Sequence, residues 1–337
     1  MSTCVTNRPA NGLRRRATRA ACLGALAVLA VPAHAQGSGD AWPSRPVRVI
    51  VPNAPSGLAD VTTRLVSARL AEVLGQPVLV DNRPGAGGTI GTAAAVKAAP
   101  DGYTLLSVFD SHATNAHLFR KIPYDTLNDL VPISVMVRGP IALVVNPGVP
   151  AKTLKDLLAI ARKRPGVLNS GVIGPGSPAR LLVEMLELSA KIEVTQVPYK
   201  GAANALTDLI GGQIDAMFAT PAAIFGHVKS GRVRAIAITS SRRSPLLPGV
   251  PTMNETLPGF EAEVWVAMLA PARTPIALVQ RIHGDLEKVL GQADMRERLA
   301  EQGLEAVAST PAQADQWIRT QYERWGRVIR EQKIVVE

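Results

Sequence analysis

Hydrophobic positions in the first third of the chain change period several times. Val47, Val49, Ile50 and Val51 form a short β-branched run; Val66, Leu70, Val73 and Leu74 recur at helical spacing; Pro77 to Val80 return to a strand-like run. An alanine-rich stretch after Gly91 and the run Tyr103 to Leu106 repeat the alternation. Val47 to Leu106 therefore predicts strand, helix, strand, helix, strand, the order that builds an α/β sheet covered by helices. Later strands are predicted at Val194–Val197, Asp215–Phe218 and Val233–Thr239, again separated by helices. The sheets should then be mostly parallel.

Two turns in this block carry the candidate chemistry. The first, Pro52-Asn53-Ala54-Pro55-Ser56-Gly57-Leu58-Ala59-Asp60, leads from a strand into a helix. The first N–H groups of a helix lack intrahelical acceptors and carry a partial positive charge, so a carboxylate can bind there without a charged side chain. Asn53, Ala54, Pro55, Ser56, Gly57 and Asp60 are the candidate contacts, and the plainer alternative is a turn in which Ser56 only caps the helix. The second turn runs from Asp81 to Gly91 and imitates a dinucleotide fingerprint, but its spacing is G-x-G-x-x-x-G. A tight turn that lets backbone and helix pack closely is the expected role.

The second turn, read as Asn82-Arg83-Pro84-Gly85-Ala86-Gly87-Gly88-Thr89-Ile90-Gly91 and followed by Pro100-Asp101-Gly102-Tyr103-Thr104-Leu105, resembles the tripartite tricarboxylate transporter receptors, the Bug family of periplasmic solute-binding proteins. The resemblance continues through Leu74-Gly75-Gln76-Pro77, Val197-Pro198-Tyr199-Lys200-Gly201 and Gly211-Gly212-Gln213-Ile214-Asp215. It implies an α/β, two-lobed periplasmic binding protein fold, type II-like, with each lobe a mostly parallel sheet flanked by helices and the ligand cleft between lobes. Residues 42–140 and 266–337 would form lobe 1, and 141–265 lobe 2, the chain crossing near Gly139-Pro140 and returning near Phe260 to Ala270. Ser107 to Asn115 looks like the family's cleft-lining T-H-A-x-N-P stretch, with Ser111, His112 and Asn115 at the matching positions and Phe109 and Asp110 just before them as further candidate contacts. Gly174, Gly176 and Ser177 match its G-x-G-S loop, and Tyr199 and Thr220 complete the candidate set. Ser177 followed by Pro178 is also a strong helix start in its own right.

The chain departs from the family pattern at several of these positions. Asn53 replaces an aromatic residue, Ser56 a glycine, Asp110 a small residue, Ala116 a proline and Arg180 a frequent histidine. An ionised Asp110 facing the cleft would repel a dianion: like charges roughly 6 Å apart cost on the order of 3 kcal/mol at an effective dielectric of about 20. The expectation is then a ligand with one carboxylate and a cationic or hydrogen-bond-donating group at its other end. The alternative is an Asp110 that points away and caps or pairs locally.

The first 35 residues read as a signal peptide: Arg8, Arg14, Arg15, Arg16 and Arg19 precede an apolar core from Ala20 to Val31 and an Ala33-His34-Ala35 cleavage site. The mature chain is expected to begin near Gln36, exported by general secretion to the periplasm. Both cysteines, Cys4 and Cys22, fall in this leader, and Arg19 stands where a lipoprotein signal has an apolar residue, so neither a disulfide nor a lipid anchor is expected. Losing five leader arginines lowers the formal net charge from +10 to +5. Mild basicity suits small anions, and no basic run interleaves with aromatics, so nucleic acid is not an expected partner.

Catalytic signatures are missing from the sequence: no G-x-S-x-G, no H-E-x-x-H and no Walker loop. His112 and His117 are five apart and share no helical face, which argues for packed histidines over metal ligands. The expected function is a monomeric, cofactor-free receptor for a small organic carboxylate (a di- or tricarboxylate, an amino acid or an amide-bearing acid) that delivers it to integral-membrane transporter subunits. A sensor partner without a permease, or a secreted hydrolase using Ser177 or Ser111 with His112, are the alternatives.

Overall fold

The computed structural model describes residues 42–173, 177–199 and 201–334. The leader with its cysteines and cleavage site, Gly174, Gly176 and Lys200 lie outside the described residues. The chain begins with β1 (Val47–Val51), α1 (Leu58–Leu74), β2 (Val78–Asn82), α2 (Thr89–Val96), β3 (Thr104–Phe109), α3 (Ser111–Leu118) and β4 (Leu130–Pro140). It continues with β5 (Ala142–Val145), α4 (Leu154–Lys163), β6 (Asn169–Ile173), α5 (Pro178–Ala190), β7 (Thr195–Tyr199), α6 (Ala202–Ile210), β8 (Ala216–Ala219), α7 (Pro221–Lys229) and β9 (Arg234–Ile238). It ends with β10 (Glu263–Pro271), α8 (Ile276–Gly291), α9 (Ala293–Glu301), β11 (Glu305–Ala306) and α10 (Pro311–Glu331).

Helix ends follow the local chemistry. Thr153 caps α4 in a capping box with Asp156, and Thr310 caps α10 in another with Gln313, each satisfying donors at the helix start reciprocally. Thr274 does not cap α8; its hydroxyl bonds back to the Pro271 carbonyl at 2.7 Å.

The strands form a six-stranded sheet, β11-β4-β10-β3-β1-β2, and a five-stranded sheet, β7-β6-β8-β5-β9. Both are mixed, with most strands sharing one direction as expected: β1, β2, β3 and β4 in the first sheet and β6, β7, β8 and β9 in the second. β10 is antiparallel to β3 and β4, and β5 is antiparallel to β8 and β9, while β1, β2 and β3 pair parallel, as do β6, β7 and β8. The reason is the double crossing between sheets. β5 enters its sheet from the first crossing and β10 enters the other from the second, so each runs against the strands that lead toward the crossings.

At the crossings Ile141 alone separates β4 from β5. The wholly buried Thr239, just after β9, ties both passages together. Its Oγ1 accepts from the Ile141 N–H (2.9 Å), its own N–H donates to the Ile141 carbonyl (2.8 Å), and its carbonyl accepts from the Ala262 N–H (2.9 Å). β10 joins the first sheet at Glu263, slightly before residue 266. The stretch Ser240 to Pro251 exposes Ser241, Arg242, Arg243, Pro245, Pro248 and Gly249 but buries Ser240, Ser244 and Leu247, Leu247 joining the apolar core between the second sheet and its helices. α10 packs on α3 and β4 and reaches α5, with Trp325 buried.

Candidate ligand-binding site

The first turn is locked from behind. Asp60, 3% exposed, accepts from the Ser56 N–H (2.9 Å), from Asn82 Nδ2 (2.9 Å) and from Arg64 Nε (2.9 Å). Burial alone would raise its pKa, but the bonds from Arg64, Ser56 and Asn82 outweigh that and hold the carboxyl below its usual range. Asn82 also donates to the Asn53 carbonyl at 3.1 Å. These bonds hold Ser56 in a left-handed conformation (φ 67°) and bring Gly57, with no side-chain capping bond, to the head of α1. The alternative in which Ser56 caps the helix is not realised: Ser56 lies one residue before Gly57, which holds the cap position. Asp60 likewise has both oxygens engaged inside the turn. Ala54, Pro55, Ser56 and Gly57 are exposed, whereas Asn53 is half-buried with its Oδ1 buried and without a partner among the described residues.

The glycine-rich turn braces the first. A Cβ on Gly91 would stand 2.7 Å from the Arg83 carbonyl oxygen and 2.8 Å from Pro52 Cα, both backbone atoms. Gly87, at φ 64°, lies under Phe119 and Asn115. Asn115, 3% exposed, donates its side-chain amide to the Gly87 carbonyl at 2.9 Å, so this candidate contact fastens α3 to the turn.

At the end of β3, Phe109 and Ser111 are half-buried. His112 is 2% exposed, and among the described residues neither ring nitrogen makes a hydrogen bond of ordinary length, the Thr126 backbone being only a weak polar neighbour. Burial lowers its pKa to about 4, a shift that the Thr126 backbone only partly opposes. His117 contacts Tyr322 instead, its Nε2 lying 2.9 Å from the Tyr322 carbonyl oxygen. No group of three or more metal-ligating side chains occurs among the described residues. Asp110 is 5% exposed; its Oδ1 accepts from the Trp265 N–H at 3.3 Å and its Oδ2 has no partner among the described residues. Burial pushes its pKa well above the carboxylate range.

The second sheet contributes its own helix starts. Ser177 caps α5, its Oγ accepting from the Arg180 N–H at 3.2 Å. Thr220 heads α7 without a side-chain capping bond. The Tyr199 hydroxyl donates to Asp208 at 2.7 Å and is thus tied within its own lobe. Asp110 and Ser111 meet Pro178 and Leu181 of α5 across a small cavity with about 10 Å³ of room, further walled by Ile141, Glu263 and Trp325. Sequence reasoning missed Asn82, whose place inside the glycine-rich motif was the available signal. It also missed Trp265 and Glu263, which reach the site only through β10.

Residues 62–334 match the family model described as the tripartite tricarboxylate transporter family receptor. BugT of Bordetella pertussis is 40% identical over 297 residues, spanning 87% of this chain and 91% of that protein. A structure titled as an R. palustris protein with adipate is 33% identical with a TM-score of 0.77, covering 88% of this chain and all of the other. MatC from Rhodopseudomonas palustris, with bound malate, is 32% identical with a TM-score of 0.73, over 85% and 99% of the two chains. Among the described residues no helix is long and apolar enough to cross a membrane. With a family match over most of its length and like folds among solute-binding proteins, the chain belongs to the tripartite tricarboxylate transporter receptor family.

Proposed function

We propose that this receptor captures a small organic acid between lobe 1 (42–140 and 266–337) and lobe 2 (141–265) and presents it, as a periplasmic monomer, to the membrane subunits of its transporter. One observation carries the reading: the head of α1 is exposed, lacks a side-chain cap, and is held by the Asp60–Ser56–Asn82 bonds. Such an end is worth about 0.3–1 kcal/mol to an anion, and up to ~2 kcal/mol when partly buried. Asn53, Ala54, Pro55, Ser56 and Gly57 offer backbone and small polar groups there. Ser111, Ser177 and Thr220 offer hydroxyls, and Gly174 and Gly176, outside the described residues, are proposed contacts from the family's G-x-G-S pattern. Asp60, Asn115 and His112 support these groups from within. The family's acid-bound members make adipate and malate the first ligands to try.

The hydrolase alternative is disfavoured by the engagement of its own residues. Ser177 Oγ is a helix cap, and His112 is buried with no serine on either ring nitrogen. Native mass spectrometry and calorimetry on mature protein purified without refolding test the proposal. Stoichiometric binding of an organic acid without turnover supports it, and conversion of the acid would overturn it. Uptake of that acid by intact cells that is indifferent to loss of the protein would point instead to a sensor.

A further inference from the structure

The cavity between α3 and α5 has walls that are apolar or uncharged except at two carboxyl groups. Asp110 enters from the end of β3 and Glu263 from the start of β10, beside Ser111, Thr114, Leu181 and Trp325. Glu263 has a cation behind it, Arg138 Nη1 at 3.5 Å. Among the described residues Asp110 has none: one long bond from the Trp265 N–H at 3.3 Å serves Oδ1, and Oδ2 is buried without a partner. On α5, Arg180 and Glu184 pair with each other and do not line the cavity, α10 contributes the uncharged Trp325, and the neighbouring His112 is neutral near pH 7. An ionised Asp110 would thus be a desolvated charge facing a second carboxylate, which is the costliest arrangement available to it. A protonated Asp110 has a hydroxyl to donate, and about 10 Å³ of room is that of one water.

We infer that Asp110 is a specificity-determining residue of the cleft that stands as the neutral acid and donates from Oδ2, through one water in this cavity, to an anionic group of the bound acid. The inference rests on the carboxylate-receptor reading above. It reverses the charge logic read from the sequence: a neutral Asp110 favours an anion, and a dicarboxylate is not repelled.

Two measurements on the mature protein test it. In the first, infrared difference spectra of wild type against D110N, with ¹³C-carboxyl aspartate labelling, are recorded at pH 7. A protonated carboxyl band is expected, and a carboxylate band overturns the inference. In the second, adipate and malate are titrated calorimetrically from pH 5 to pH 9 into wild type, D110N and D110A, each checked for folding by circular dichroism. The amide of D110N keeps a donor, so affinity is expected within about threefold of wild type, while D110A binds about tenfold more weakly. Wild-type affinity should fall as pH rises through the titration of Asp110, and that of D110N should not. Wild-type affinity in D110A, or identical pH profiles for wild type and D110N, overturns the donor role while leaving the receptor reading intact. If neither acid binds wild type, the receptor reading for these acids falls and the donor role falls with it.

Discussion

At the scale of single residues, burial decides more than identity. His112 is neutral because its ring is shut away from water, so its pKa is lowered from 6.5 to about 4. A depressed histidine pKa means that the unfolded chain binds the extra proton. His112 therefore contributes stability above pH 6.5 that is lost as pH falls toward 4. Asp110 acts in the opposite sense, because its raised pKa contributes stability below the unfolded value that is lost as pH rises through the folded one. Comparing H112Q with wild type isolates the histidine. Their difference in unfolding free energy, from urea titrations at pH 7 and pH 4, should shift by about 3 kcal/mol in favour of the variant at the lower pH. A constant difference would mean that His112 is solvated. Ser177→Ala removes the α5 cap and should cost about 1 kcal/mol. It should also weaken binding of an acid if Ser177 contacts it, and lost stability with unchanged affinity would leave capping as its whole role.

Between elements, two close approaches hold the site in shape. Gly91 lets α2 lie against the backbone of Pro52 and Arg83, so Gly91→Ala forces the two turns apart. Overpacking of this kind costs roughly 1–3 kcal/mol, and here it should lower ligand affinity as well as melting temperature. Thr239 joins the passages between the sheets. Thr239→Val keeps the volume but leaves the buried Ile141 N–H without its acceptor, at a cost of about 1–3 kcal/mol. Because that bond sits at the crossing, the variant should also show a changed ligand-induced compaction by small-angle scattering. A variant with wild-type stability would show that Ile141 finds another partner.

For the whole molecule, the mixed sheets follow from the chain crossing between them twice. The strands approaching a crossing and those leaving it run in opposite senses, and residues just after β3 and at the start of α5 line one cavity. Cavity walls from α3, α5, β10 and α10 then meet beside both passages, where a hinge closure would be felt first. Mass spectrometry of the protein from a periplasmic extract should give an N-terminus near Gln36, and recovery with membranes, acylated at Cys22, would contradict the signal-peptide reading.

What the sequence determined by itself was whatever rests on local physics and local motif. The β-branched run Val47–Val51, the helical stripe of α1, the glycine-rich turn and the cap at Ser177 were legible because each depends on neighbours within a few residues. The family motif then carried the two-lobed fold, because Asn82 to Gly91 and Pro100 to Leu105 form a long, specific match. Tertiary structure decided the rest. That Asp60 is a brace of the turn, that Asn115 fastens α3 to Gly87, and that Ser244 and Leu247 are buried all depend on partners distant in the chain or on packing between elements. The electrostatic state of Asp110 was the least legible of all. It depends on a 155-residue separation from Trp265, and on walls from four separate elements that bring no cation among the described residues. A charge read from sequence assumes water around it, and only the folded chain determines whether the water is there.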